Sequence, residues 1–254
     1  MWLYVGYMVS HDRNVALVTG ANRGIGREVA RQLAGRGLTV VIGSRDLSAG
    51  QVVADELAAS GGSVTAVRLD VVEQGSPASA IDEIVLRFGR LDVLVNNAGR
   101  FIEVDAADTT GDDLRAVFET NLFGAAETIR AAIPRLRRSA GARIVNVSST
   151  TGSLTLAAGG ADLGGDASLR LAYATSKTAL NMLTVQYHRA FQEDPTLRHI
   201  KINAGTPGYT ATDMNGGRGT RSVEEGARVI VELASLPDDG PSGGFYNDQG
   251  PVAW

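Results

Sequence analysis

The chain has 254 residues, 44% of them hydrophobic and 20% charged, with a formal net charge of -4 and no cysteine. These values exclude disulfides, a thiolate metal site and a cysteine nucleophile, and the acidic balance argues against general nucleic-acid binding. Only His11, His188 and His199 supply imidazole, far apart in the sequence, which disfavours a histidine-rich metal centre or a histidine triad; no apolar run approaches the ~20 residues that span a bilayer.

Residues 1–12 read as an N-terminal extension. The opening MWLYVGYMV is apolar but has no charged start, long apolar core or small-residue cleavage site, so it does not fit a secretory signal. Residues 1–7 are expected to be an upstream extension or alternative start ahead of Met8. The other reading packs Trp2, Leu3 and Tyr4 on a neighbouring surface. The default expected location is the cytoplasm.

From residue 13 onward, strands alternate with helices. VALVTG (15–20) is a β-rich run, followed by helical spacing over 24–36 through Ile25, Val29, Ala30 and Leu33. LTVVIG (38–43) is a strand, 47–59 a helix and SVTAVRLD (63–70) a strand. IDEIVLRFG (81–89) is helical, and LDVLVNNAG (91–99) is a strand running into a turn. One long helix is expected over 112–138, then a strand at 142–149, a helix at 170–193, a strand and turn at 199–208, a helix at 222–235 and a last short strand at 243–248. The strands are apolar runs rather than alternating patterns, as expected where both faces are covered. The expected fold is α/β: one doubly wound parallel sheet of the Rossmann type with helices on both faces, spanning 13–254 as a single domain.

TGANRGIG (19–26) lies between the first strand and the first helix. Glycines there permit unusual backbone angles and close approach to a pyrophosphate, and the helix N-terminus offers free N–H groups and a favourable dipole. Gly20, Asn22, Arg23, Gly24, Ile25 and Gly26 are the candidate contacts. A purely structural turn has the same composition, but position between strand and helix favours a dinucleotide. No Lys-Ser/Thr follows, which disfavours a nucleotide-hydrolysing P-loop. An acid at the tip of the second strand would select NAD; here the tip reads Gly43-Ser44-Arg45, and a guanidinium suits the 2′-phosphate of NADP. Arg23 is placed to join Arg45. The bland alternative is that both arginines are solvated, and Asp46 blurs the assignment. Asp70 and Val71, at the third strand's tip, are placed to meet the adenine.

Tyr173 and Lys177 lie four residues apart in a helical run, on one face. A phenol titrates near pKa ~10, and a close ammonium is expected to lower it toward acid/base chemistry. The pair alone is common on helix surfaces. Lysine is scarce, however: only Lys177 and Lys201 occur among 24 basic residues. Ser148 and Ser149 end a strand, where sheets present side chains to ligands. Asn121 is a polar residue in the helical TNLFG, explicable also as a helix-bending or buried structural asparagine.

TGxxxGxG, NNAG (96–99), Asn121, a strand-end serine and YxxSK follow one another in this order. The series resembles the short-chain dehydrogenase/reductase family over residues 14–254. The resemblance implies that Ser149 orients and polarises a substrate carbonyl, that Tyr173 delivers the proton, and that Lys177 binds the nicotinamide ribose and lowers the Tyr173 pKa. It implies that Asn121 holds a water linking Lys177 to solvent, and that Asn96, Ala98 and Gly99 contact the cofactor. PGYTATDM (207–214) resembles the turn that cradles nicotinamide, which makes Pro207, Gly208, Thr210 and Thr212 candidate contacts. The implied reaction is hydride transfer from NADPH to a ketone, aldehyde or quinone, with no metal.

Ser149 and Tyr173 stand 24 positions apart, about twice the family's usual gap. The extra residues, 152–168, are small, glycine-rich and acidic, so an ordered helix is not expected. An enlarged segment there, VVIGSRD and the ending GPSGGFYNDQGPVAW resemble the carbonyl-reductase branch. In that branch the insertion can block the helix face used for oligomerisation, so a monomer is favoured; its modest length leaves a dimer open. Residues 209–221 are expected to form a short substrate lid over an open, permissive pocket, with Ser222 and Glu225 as a capping box for the next helix. The implied partner is a small-molecule carbonyl compound, with neither nucleic acid nor membrane. The rivals are a reductase dedicated to one secondary-metabolite ketone and a noncatalytic NADP-sensing protein.

Overall fold

The structure is a computed structural model, and it describes residues 13–254. The expected extension, with the alternative start at Met8, the packing of Trp2, Leu3 and Tyr4, and His11, lies outside the described residues.

Eight strands form one sheet: β1 (Val15–Thr19), β2 (Thr39–Ser44), β3 (Ser63–Arg68), β4 (Val93–Asn96), β5 (Arg143–Val147), β6 (Lys201–Gly205), β7 (Phe245–Asn247) and β8 (Gly250–Pro251). Their order is β3-β2-β1-β4-β5-β6-β7-β8, parallel except for the last, antiparallel pair. From β1 the chain winds outward to β3, then returns to β4 on the other side. The carboxyl ends of β1 and β4 therefore diverge into a crevice, where open α/β sheets bind ligands.

Apolar strand runs arise because consecutive side chains serve opposite faces. Ala16 and Val18 join one core with Val29, Ala30 and Leu33 of α1 (Gly24–Gly35) and Ile230 of α8 (Val223–Ala234). Val15 and Leu17 join the other, with Ile81 and Ile84 of α3 (Ser76–Phe88) and Ile129 and Leu136 of α5 (Gly124–Leu136). The helix over Leu47–Ala59, α2, falls where the spacing placed it, and Ser222 and Glu225 form the expected capping box on α8.

Several expectations need correction. The long helix expected over 112–138 is three pieces: α4 (Gly111–Phe118), a π-helical turn over Glu119–Phe123, and α5. The wider turn accommodates Asn121, whose amide grips the backbone of Arg100 instead of lying along the helix. Helix α3 starts at Ser76, five residues earlier than expected, behind a left-handed Gly75 and with a proline in its first turn. The insertion also contains an ordered helix. α6 (Leu154–Ala158) is capped by Ser153 Oγ, which accepts from Leu156 N, and a 3-10 turn follows over Ala167–Leu169. Serine capping outweighed the glycine-rich composition. The longest helix, α7 (Leu171–Glu193), carries Tyr173 and Lys177. No helix among the described residues is long and apolar enough to cross a membrane.

Candidate active site

The turn after β1 is shaped by three glycines with two different duties. Gly20 and Gly24 have φ of 63° and 55°, left-handed values that only glycine adopts without strain. Gly26 is needed for space: a Cβ there would collide with Asn97 Nδ2 and lie 2.8 Å from Gly20 O. At the N-terminus of α1, Arg23 makes no side-chain cap and no acid stands in the first turn. The first N–H groups of the helix thus have no side-chain acceptor, which suits a diphosphate.

These residues line a cleft of about 1100 Å³ together with Arg45, Asp70, Val71, Ala98, Gly99, Tyr173, Lys177, Pro207 and Thr212. Arg45 is exposed and forms no ion pair or hydrogen bond among the described residues. Asp46, which blurred the cofactor assignment, accepts from Ala49 N at 3.1 Å and caps α2. That leaves Arg45 as the uncommitted charge beside the second strand's tip. Arg23 lies 3.6 Å from Asp213, with both side chains largely exposed. A dinucleotide bearing a 2′-phosphate fits this donor set.

Three expected cofactor contacts do not line the cleft. Asn96 is inside the sheet, donating to Asn146 Oδ1 at 2.9 Å. Its neighbour Asn97 does the work of the NNAG motif. Asn97 Nδ2 donates to Thr19 O (2.8 Å) and Gly20 O (3.1 Å), and the Asn97 and Ala98 N–H groups both donate to Thr19 Oγ1 at 3.0 Å. Thr210 is buried and donates to Pro207 O, and Gly208, with φ of 70°, backs onto Arg221. Both shape the turn from behind.

The reacting end is held by a polar stripe on α7, buried at Lys177, Asn181 and Thr184 and half-buried at Tyr173. Tyr173, Lys177, Asn181 and Thr184 recur at helical spacing on one side of the helix. Thr184 Oγ1 accepts from Asn146 Nδ2 (2.9 Å), and Asn181 accepts from Ser148 Oγ (2.6 Å) while donating to Gly152 O (3.1 Å). Ser176 accepts from Asn121 Nδ2 at 2.9 Å, so the π-helical turn braces the same helix. A Cβ on Gly152 would lie 2.7 Å from the Lys177 carbonyl carbon, so glycine lets the strand end approach α7. Lys177 Nζ donates to Val147 O at 2.8 Å and lies 5.5 Å from the Tyr173 ring centroid. Ser149 Oγ accepts from Thr151 N at 3.2 Å and from Thr151 Oγ1 at 2.9 Å. Asn121 is buried behind the cleft wall, bonded to both backbone polar groups of Arg100.

The expected lowering of the Tyr173 pKa does not occur. Burial pushes the phenol up to about 12, with the Ser149 hydrogen bond pulling the other way. Burial also lowers Lys177 to about 8. Desolvation dominates at both groups, and the lysine ammonium is directed at the Val147 carbonyl. Phe101, which sequence reasoning missed, packs edge-on against the Tyr173 ring at 5.5 Å. Asn97 and Asn181 were missed too. The period of polar residues along α7 was the available signal for Asn181.

The family model for short chain dehydrogenase matches residues 14–222. The chain belongs to the short-chain dehydrogenase/reductase family. A short-chain dehydrogenase of Penicillium roqueforti is 35% identical over 237 residues, covering 90% of this chain and 91% of that one. Carbonyl reductase [NADPH] 1 of Sus scrofa is 31% identical over 282 residues, covering 97% and 96%. The crystal structure of NADPH-bound carbonyl reductase from chicken fatty liver aligns with a TM-score of 0.81 at 29% identity, covering 95% of this short-chain dehydrogenase and 99% of that chain.

Proposed function

We propose that this protein uses NADPH to reduce the carbonyl group of a ketone, aldehyde or quinone. One arrangement carries the reading: Tyr173, one helical turn from the buried Lys177, stands in the same cleft as the glycine turn and Arg45, and Ser149 acts on its phenol. Bound cofactor would supply the hydride. Gly20, Gly24, Gly26 and the α1 N-terminus would seat its diphosphate, and Arg45, joined by Arg23, the 2′-phosphate. Ser149 donates a hydrogen bond to the substrate oxygen. Tyr173 Oη holds the proton that this oxygen takes up as charge develops. With a pKa raised to about 12, the phenol is a proton donor throughout the neutral range, which is the protonation state reduction requires. Lys177, which lines the cleft one helical turn from Tyr173, would hold the nicotinamide ribose. Asn121 acts from behind the cleft wall through the Arg100 backbone and Ser176.

A reductase dedicated to one secondary-metabolite ketone is the second reading. The folded insertion favours it, because Leu156 of α6 and Leu163 line a second pocket of about 500 Å³ with Thr150 and Tyr209. A noncatalytic sensor is disfavoured by the retention of a buried lysine, which is costly without a task. A monomer in the cytoplasm completes the proposal. Gly152 and its carbonyl lie against α7, so the insertion's root covers part of that helix; sedimentation and cell fractionation test the two statements.

The deciding experiment follows NADPH and NADH oxidation with a panel of ketones and aldehydes. Tyr173→Phe should lower turnover by about 10²- to 10⁴-fold while NADPH still binds. Turnover that survives this change would sink the mechanism.

A further inference from the structure

Residues 212–218, after β6, cross the cleft as a strap that is tied down on both sides. The centre of the strap is a 3-10 turn over Asp213–Asn215. Asn215 stiffens that turn from within: Oδ1 accepts from Thr212 N at 3.1 Å, and Nδ2 donates to Thr210 O at 2.9 Å. On one side the strap faces the glycine turn. A Cβ on Gly24 would lie 3.8 Å from Thr212 Cγ2, and the Asp213 carboxylate stands 3.6 Å from Arg23 Nη1. On the other side the strap meets the chain that follows β4. A Cβ on Gly99 would lie 3.7 Å from Met214 Cε, and Arg218 Nη2 donates to both carboxylate oxygens of Glu103, at 3.1 and 2.9 Å.

The two ties differ in what competes for them. Neither Arg218 nor Glu103 lines the cleft, whereas Arg23 and Asp213 both do. The Arg23 and Asp213 side chains are 68% and 75% exposed, and the Asp213 carboxylate has no other partner among the described residues. An ion pair this open and 3.6 Å long is weak. A phosphate monoester carries about two negative charges and makes charge-assisted hydrogen bonds to a guanidinium. It outcompetes a single carboxylate for Arg23, and once in place it repels that carboxylate as a like charge.

We propose that Asp213 is a specificity-determining residue for the cofactor: it occupies Arg23 until a 2′-phosphate displaces it, so that NADPH, and not NADH, frees the Arg23 side of the strap. The inference rests on the placement of the 2′-phosphate at Arg45 and Arg23 proposed above. Asp213 lowers NADPH affinity, because its pair with Arg23 must break before the phosphate binds. NADH binds with that pair intact. With NADPH the strap is held by the Arg218–Glu103 pair alone; with NADH both ties persist.

The test measures binding to the full chain by calorimetric titration with NADPH and with NADH. Asp213→Asn should lower the Kd for NADPH roughly two- to fivefold and leave that for NADH unchanged. In an Arg23→Gln background the same change should lose its effect; an equal gain there would show that Asp213 acts without Arg23 and would overturn the proposal. Amide hydrogen exchange over residues 211–218 at saturating cofactor should be faster with NADPH than with NADH in the parent, and equal in Asp213→Asn. Equal exchange in the parent would overturn the switch of partners. Arg218→Gln should speed exchange with both cofactors and keep the parent's ratio of the two Kd values. A ratio shifted as in Asp213→Asn would trace selectivity to a loose strap, against the proposal. If Arg23→Gln and Arg45→Asp weaken NADPH and NADH alike, the phosphate site is misplaced and the proposal falls with it. If those two changes are selective for NADPH while Asp213→Asn leaves its Kd unchanged, only the role of Asp213 fails.

Discussion

Lys177→Met should stabilise the protein while abolishing its catalysis. Lys177 is only 4% exposed, and burial lowers its pKa from 10.5 to about 8. A displacement of that size, at ~1.4 kcal/mol per unit, corresponds to roughly 3 kcal/mol against folding while the lysine is charged. Methionine has a similar length and no charge, so the penalty disappears. Against that gain, the Val147 carbonyl loses its Nζ donor, at a cost of about 1–2 kcal/mol. The net expectation at pH 7 is stabilisation of roughly 1–2 kcal/mol, with NADPH-dependent turnover lost.

The pH dependence separates this account from a generic packing gain. Below pH 8 both folded and unfolded states keep the Lys177 proton, and the folded state bears the full penalty. Between pH 8 and 10.5 the folded protein releases the proton and the unfolded chain keeps it. The unfolded state then binds more protons, so the parent's stability rises with pH. The advantage of Lys177→Met should therefore shrink as pH rises from 8 and reach about zero near pH ~9.5, where roughly one unit of the penalty remains. Urea denaturation of both proteins without cofactor, from pH 6.5 to 9.5, measures the difference directly. A variant that is less stable at pH 7, or whose advantage does not change with pH, would refute the desolvation argument.

Two further changes probe the cofactor side. Arg45→Asp replaces the uncommitted guanidinium with a like charge for the 2′-phosphate and should weaken NADPH by about 10- to 100-fold, with NADH little changed; titrations that lose both cofactors equally would remove Arg45 from the phosphate site. Asn97→Ala deletes the two side-chain bonds to the Thr19 and Gly20 carbonyls and should cost roughly 1–3 kcal/mol of stability together with NADPH affinity. Calorimetry and cofactor titration check both effects, whereas Asn96→Ala should cost stability and spare NADPH affinity.

The sheet was legible because apolar strand runs and helix spacing are local properties. VALVT needs no neighbour to declare itself a strand covered on both faces, and Ser222 and Glu225 cap α8 by a rule four residues long. The failures share a cause. Asn96 and Asn97 are adjacent and chemically identical in the sequence. Which one meets the turn depends on where β4 ends against β1, a register the sheet sets and the motif does not. The Asn121 turn looked like uninterrupted helix because its π-helical geometry is dictated by a partner twenty-one residues away, the Arg100 backbone. The insertion's composition spoke against helix, but one serine cap prevailed.

The Tyr173–Lys177 pair shows the limit most sharply. Their spacing correctly placed both on one helix face, and the inference of a depressed phenol pKa then followed from charge proximity alone. Burial reverses the direction, because desolvation acts on every charged form while Coulomb attraction needs a cation whose own charge is supported. Here Lys177 is also desolvated, and Val147 O takes its hydrogen bond. A tyrosine that keeps its proton throughout the neutral range has it available for a nascent alkoxide. Phe101, packed edge-on against the phenol, adds apolar surface to that burial. The protonation state of Tyr173 is thus set by burial as much as by the two residues that spell the motif.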